Sequence, residues 1–161
     1  MDAPAPRHGG LPLMGAHTPW PRCRRCHRSM RFRAQLPVAL TLVAPPDDPR
    51  MLLVFECAGC RAARALLVSG PLSPRRPDRA SVVSLEPCGA RLLAAPVDPP
   101  EAQAVWASVG PEPGGEPRYC RAGHRLRPAV RLWPQRIDGE RLGAVRVSLC
   151  LRCDEALAEQ G

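Results

Sequence analysis

Leu52-Leu53-Val54-Phe55-Glu56-Cys57-Ala58-Gly59-Cys60 is a short apolar run that ends in two cysteines separated by two residues. A run of this length, rich in Leu, Val and Phe, reads as a buried strand. The two-residue gap lets one tight turn aim both sulfurs at a single point, as a tetrahedral ion with ligands about 2.0–2.3 Å away requires. Upstream, Cys23 and Cys26 form the same turn, with 30 residues between Cys26 and Cys57. Downstream, Cys120 and His124 are followed by Cys150 and Cys153, with 25 residues between His124 and Cys150. Each group is a turn, a strand-bearing spacer and a second turn, the zinc-ribbon layout. The expected metal ligands are therefore Cys23, Cys26, Cys57 and Cys60 in one set, and Cys120, His124, Cys150 and Cys153 in the other. Four protein donors per ion leave no open position for a catalytic water. The pattern predicts two structural Zn2+ per chain.

The spacers carry β patterning. From Phe32, the residues Ala34, Leu36, Val38, Leu40 and Leu42 alternate with Arg33, Gln35, Pro37, Ala39 and Thr41, which predicts a strand with one apolar face. Pro37 confines that strand to a sheet edge or breaks it in two. The stretch Ala44-Pro45-Pro46-Asp47-Asp48-Pro49 is a turn, and Met51 to Glu56 returns as the partner strand. Residues 63–70, 80–86 and 90–96 hold further short β-type runs. In the second spacer, Arg127 to Trp133 is a strand, Asp138-Gly139 a hairpin turn, and Val145, Val147 and Leu149 alternate towards Cys150. One helix is expected over 98–110: Asp98 caps it, Pro99 and Glu101 fit its first turn, and Ala102, Val105, Trp106 and Val109 share a face before Gly110. Trp106 is expected to be a core anchor. A second short helix is expected to start at Asp154. The two halves look like a degenerate repeat of one plan.

Composition sets limits. With 161 residues, 4% aromatics and 21 prolines, a large apolar core is not expected, and bound metal supplies the missing stability. The metal-free chain is then expected to lose most of its structure. No apolar run approaches 18 residues, Leu36 to Pro46 being the longest candidate, and residues 1–20 lack a continuous apolar core. The expectation is a cytoplasmic monomer without a membrane segment.

The cysteines have other conceivable uses. A disulfide framework suits a secreted domain, and paired turns of this kind suit metal in a reducing compartment better. A thiol oxidoreductase is a minor alternative: Cys57 and Cys60 follow an apolar run, and Arg61-Ala62-Ala63-Arg64-Ala65-Leu66 after them could open a helix that lowers a thiol pKa. An isolated redox pair leaves Cys23 and Cys26 unexplained. Cys88 is left over and receives no role. The histidines His8, His17, His27 and His124 sit in no catalytic constellation, and no phosphate-cradling glycine loop is present, so no enzyme activity is expected. His27, beside Cys26, is expected to be a surface residue flanking the turn.

The formal net charge is +8, and every basic residue is Arg. Two Zn2+ add four positive charges and seven thiolates remove seven, which brings the loaded chain to +5. Arg22, Arg24, Arg25, Arg28, Arg31 and Arg33 crowd the first turn with no acid among them. They are either a phosphate-binding patch or a counter-charge to the thiolate-bound metal. The second reading is preferred here, because the aromatics suited to base stacking near them are only Trp20 and Phe32.

Gly9-Gly10-Leu11-Pro12, Trp20-Pro21, Cys23-Arg24-Arg25-Cys26, Met30-Arg31-Phe32 and Gln35-Leu36, followed by Leu52 through Cys60, resemble the bacterial YwqG-like proteins and their eukaryotic relatives, the programmed-cell-death-protein-2-like family. The resemblance covers about residues 9–60. It implies a β-rich fold with zinc-ribbon elements, and for the eukaryotic members a role as chaperones that hold a ribosomal protein. The resulting expectation is a mainly β (small α+β) protein. Residues 1–19 form an extension, 20–97 a first ribbon and β unit, 98–110 a connecting helix, 111–117 a linker and 118–161 a second ribbon unit. Its expected function is a zinc-binding protein-interaction or chaperone-like adaptor with an unidentified protein partner. The alternative is a nucleic-acid-binding zinc-ribbon protein using the Arg22–Arg33 cluster.

Overall fold

A computed structural model describes residues 6–8, 11–57, 59–76, 91–92, 106–108, 116–137 and 140–161. The chain is mainly β. In order it forms β1 (Arg7–His8), β2 (Leu13–Met14), β3 (Arg31–Pro37), a 3-10 turn (Val38–Leu40), β4 (Met51–Cys57), β5 (Ala62–Val68), β6 (Ser73–Pro74) and β7 (Arg91–Leu92). It continues with β8 (Trp106–Ser108), β9 (Arg127–Leu132), β10 (Gln135–Ile137), β11 (Glu140–Leu142), β12 (Val145–Cys150) and β13 (Glu155–Gln160). One sheet has the order β5-β4-β3-β1-β7 and another β13-β12-β9-β8, while β2-β6 and β10-β11 are two-stranded ribbons. All pairings are antiparallel. No helix among the described residues is long and apolar enough to cross a membrane.

The two larger sheets share one core. Ala34, Leu36, Val38, Leu52 and Val54 pack against Ala129, Val130, Leu132, Val145, Val147 and Leu149. The opposite face of the first sheet carries a second cluster, in which Met51, Leu53 and Phe55 meet Met14, Trp20, Met30 and Phe32. This explains why β4 is apolar without alternation: both of its faces are covered, and all seven residues are buried. Trp20 and Phe32 meet Phe55 edge-on, at 5.3 and 5.7 Å between ring centroids. The Trp20 indole N–H donates to Met30 O at 2.8 Å.

Four expectations need correction. The single apolar face from Phe32 to Leu42 is split, because Phe32 pairs with Phe55 and Ala34 with Val54, leaving Arg33 as an extra bulge residue. Phe32 therefore lies in the outer cluster, and Ala34 and Leu36 in the shared core. Secondly, β3 is not an edge strand; of the two outcomes expected of Pro37 the chain takes the break, β3 ending at Pro37 with the 3-10 turn directly after it. Pro37 is tolerated because β1 pairs only with Ala34 and Gln35, so no neighbour on that side needs a donor from Pro37. Thirdly, Trp106–Ser108 of the expected helix form a strand on β9, whose open edge offers unpaired backbone groups. The rest of 98–110 lies outside the described residues, as do the runs at 80–86 and most of 90–96. Finally, the segment after Asp154 pairs along the whole of β12 instead of forming a helix, for the same reason.

The repeat extends further than its cysteines. Each half is a three-stranded meander, β3-β4-β5 and β9-β12-β13, joined to its turns in the same register. Cys57 pairs with Ala62 as Cys150 pairs with Glu155. The residues that follow the last cysteine of each set, Arg61 and Asp154, both adopt left-handed backbone with φ 52°. The bulge recurs as well. Pro128 pairs with Ser148 and Val130 with Val147, which leaves Ala129 as the counterpart of Arg33.

The halves lie head to tail. Arg33 Nη1 pairs with Glu56 Oε2 at 2.8 Å, and its guanidinium also donates to Trp133 O and Gly143 O, at the far end of the second meander. Gln160 Nε2 donates to Glu56 Oε1 at 2.6 Å. At the other end, Arg50 pairs with Asp48, and donates to Leu151 O and to Asp154, beside the second set of ligands. The two ligand sets therefore sit at opposite ends of the shared core.

Candidate metal centres

Strand register brings each ligand set together. β4 delivers Cys57 next to the turn that holds Cys23 and Cys26, and β12 delivers Cys150 to the turn that holds Cys120 and His124. Within each set the ligand atoms all lie within 4.8 Å of one another, and each set can hold a metal ion. A tetrahedral ion with bonds of about 2.3 Å places its sulfurs about 3.8 Å apart. Cys26 Sγ lies 3.6 Å from Cys57 Sγ, and Cys120 Sγ lies 3.8 Å from Cys153 Sγ. His124 Nδ1 stands 3.6, 3.9 and 3.2 Å from the sulfurs of Cys120, Cys150 and Cys153. The residues present fit a closed four-coordinate site at each end.

The histidine does not simply replace a cysteine. In the first turn, Cys23 N–H donates to Arg28 O at 2.9 Å, and the residue before Arg28 is His27 with φ 61°. In the second, Cys120 N–H donates to His124 O at 2.8 Å, and the residue before His124 is Gly123 with φ 83°. By this register His124 occupies the place of Arg28, and Ala122 precedes the left-handed residue as Cys26 does in the first turn. The second turn is one residue shorter, and its ligand comes from two positions further on. The imidazole reaches back with Nδ1 to the three sulfurs.

Backbone donors polarise one thiol in each set. The N–H of Cys26 and, against some burial, that of Arg25 lower the Cys23 thiol to about 7. The Arg25 N–H lies 3.4 Å from Cys23 Sγ. Cys120 is buried, which pushes its thiol up, but the N–H groups of His124 and Ala122 outweigh this and its pKa is lowered. The partners move the other way. Hydrogen bonding to Cys26 and burial push Cys60 up to about 12, burial raises Cys57, and burial with the Cys120 contact pushes Cys153 up to about 12.

These directions bear on the redox alternative. Its helix is absent, since Ala62–Val68 form β5, and burial raises the Cys57 thiol instead of activating it. Cys88 lies outside the described residues. His27 is exposed and stands outside the ligand cluster.

The arginine cluster is divided. Arg22, Arg24, Arg25 and Arg28 are exposed and Arg31 is half-buried. Arg33 is not part of this surface: it is 2% exposed and committed to Glu56 and the second meander. Sequence reading missed its role because the bulge that turns it inward leaves no local mark. Two further arginines join from the other turn. Arg61 is exposed beside Cys60, and Arg64 donates to Arg22 O at 3.2 Å. Both were visible in the sequence once Cys57 and Cys60 are folded against Cys23 and Cys26. Trp20 and Phe32 are buried and offer no stacking surface.

Comparison of the chain with family models, with characterised proteins and with solved structures finds no match.

Proposed function

We propose that this chain is a non-enzymatic zinc protein, loaded with two structural Zn2+ ions and acting as a protein-interaction or chaperone-like adaptor. The observation that carries the reading is the donor geometry. Four thiolates at one end, and at the other three thiolates with an imidazole nitrogen 3.2–3.9 Å from them, suit Zn2+ better than a hard cation. Zinc held there would lock each pair of turns and fix the ends of both meanders. Cys23, Cys26, Cys57 and Cys60 would hold one ion, and Cys120, His124, Cys150 and Cys153 the other.

The adaptor role is supported by the resemblance of residues 9–60 to YwqG-like and programmed-cell-death-protein-2-like proteins. It is supported also by the surface of the second end. Tyr119, next to Cys120, is 59% exposed. Leu42 is 71% exposed, in the connection that Arg50 ties to Leu151 and Asp154. Exposed large apolar side chains of this kind suit a protein partner.

The test has two readouts on the chain purified from its native host. Elemental analysis is expected to give two zinc per chain, and one or none overturns the metal reading. A stoichiometric protein partner is expected to co-purify with the wild type, and to be lost with Tyr119→Ala plus Leu42→Ser while both zinc ions stay. Retention of the partner by that variant overturns the assignment of the second end.

A further inference from the structure

The first metal end has a different chemistry. Arg22, Arg24, Arg25 and Arg28 are exposed on the first turn and Arg61 on the second, with the half-buried Arg64 of β5 beside them. Arg22 Nη1 donates to His27 O at 3.2 Å, and Arg64 Nη1 to Arg22 O at 3.2 Å, so the two groups of arginines are joined into one face. Of the described acids near this end, Glu56 is buried and taken up by Arg33 and Gln160, and Glu159, next to Gln160, is paired with Arg118.

Counter-charge for the metal does not account for this face. One Zn2+ with four thiolates carries two negative charges. Six guanidiniums exceed that by four. The donors to Cys23 also leave the guanidiniums out, since the bond to its sulfur comes from the Arg25 backbone. Of the six, Arg22, Arg24, Arg25, Arg28 and Arg61 are exposed to solvent.

We propose that this face binds the phosphate backbone of nucleic acid, with little dependence on base sequence. The proposal rests on the metal-loaded first site described above, which holds the two turns together. Guanidinium forks match phosphate oxygens with two parallel hydrogen bonds. Base stacking is not available, because Trp20, Phe32 and Phe55 are all buried. Among the described residues the face carries no large exposed apolar side chain and no free acid, which leaves little for a protein partner to read, whereas phosphate needs only charge. Combined with an adaptor role, this would let one end hold nucleic acid and the other a protein.

The experiment uses the full chain with its zinc content measured on the same sample, and fluorescently labelled 20-residue probes: mixed-sequence single-stranded RNA, single-stranded DNA, duplex DNA, and a poly-glutamate peptide. With about four phosphate contacts, affinity for the nucleic acids is expected to fall about 100-fold between 50 and 200 mM salt. Arg24→Ala, Arg25→Ala, Arg28→Ala and Arg61→Ala combined are expected to cost at least about tenfold at 50 mM salt. Arg125→Ala plus Arg152→Ala at the other end are expected to leave binding unchanged. A preference for RNA or for DNA selects between the two sources of phosphate and leaves the proposal standing. No binding to any nucleic acid by a sample with two zinc, equal losses from both sets of variants, or equal affinity for poly-glutamate overturns it. A sample without zinc instead overturns the metal reading on which it rests.

Discussion

The two metal ends are built on one plan and surrounded by different chemistry. Strand register, bulge position and the left-handed residue after the last ligand coincide in both halves. What differs is the layer around the ligands. The first end has four cysteines, a longer turn and a rim of arginines. The second has a histidine, a shorter turn, and acids interleaved with its arginines: Glu155 accepts from Arg121 N–H, and Glu159 pairs with Arg118. Backbone geometry is therefore the part of the plan that both ends need, and the rim is where they diverge. The same division appears inside. Arg33 and Glu56 occupy the places that Ala129 and Leu149 hold in the second half, so a buried ion pair in one half stands for two apolar residues in the other.

The largest expected effect tests whether two ends sharing one core can be separated. Structural zinc contributes about 10–16 kcal/mol in small zinc-dependent units, as much as the whole stability of a small domain. Cys57→Ser and Cys150→Ser each remove one ligand of one site, and the zinc content is expected to fall from two towards none. Because the core joins both sheets, each is also expected to unfold the chain as a whole. Circular dichroism during chelator titration should show one transition. Two separate transitions would mean that the halves fold independently despite their common core.

The internal difference comes next. Glu56→Leu leaves the Arg33 guanidinium buried without its carboxylate and is expected to cost about 3–5 kcal/mol. Arg33→Ala with Glu56→Leu reproduces the residues of the second half and removes both charges together. The double variant is expected to be clearly less destabilised than Glu56→Leu alone, by urea unfolding of the zinc-loaded protein. Additive losses would show that the ion pair is not what couples the two positions.

The ligands and the strands leading into them were legible because their signals are local. Two-residue spacing fixes a turn, and β4 and β12 run straight from apolar residues into cysteines. The inaccurate expectations concern residues whose state is set by a neighbour strand. Trp106 has good helix surroundings in sequence, and the open edge of β9 decides otherwise. Asp154 looks like a helix cap, and the edge of β12 makes the next six residues a strand. Arg33 reads as one more surface arginine, and the bulge aims it at Glu56 and the second meander. His124 was found as a ligand of the second set, but its register was not, because the one-residue contraction of the turn shows only in the hydrogen bonds of Cys120.

Proton uptake gives a smaller effect that separates the ligands. In the metal-free protein Cys60 holds its proton up to about 12, and Cys153 does likewise. Metal binding takes the thiolate, so each must release a proton, and affinity falls about tenfold per pH unit for each one released. The Cys23 thiol, near 7, adds a further proton only below that pH. Zinc affinity at both ends should therefore fall on acidification, and at the first end the fall should steepen below about pH 7. Competition with a chromophoric chelator between about pH 6 and pH 8 checks this. A pH-independent affinity would rule out protonated thiols in the metal-free sites.

The smallest expected effect lies in the turns themselves. Both need a left-handed residue before the strand, and they fill it differently: Gly123 at φ 83° and His27 at φ 61°. A non-glycine residue in that region costs about 1–2 kcal/mol, which the rest of the first turn must offset. Gly123→Ala is expected to destabilise the second end by about 1 kcal/mol, since a Cβ there meets no atom within 4 Å and the cost is conformational alone. His27→Gly relieves the same strain at the first end, and its gain is smaller because glycine loses more freedom on folding. Thermal unfolding of the zinc-loaded variants should move in opposite directions. If His27→Gly instead lowers stability by more than about 1 kcal/mol, then His27 holds the first turn through its side chain, and the two ends differ in how they fix their backbone as well as in their rims.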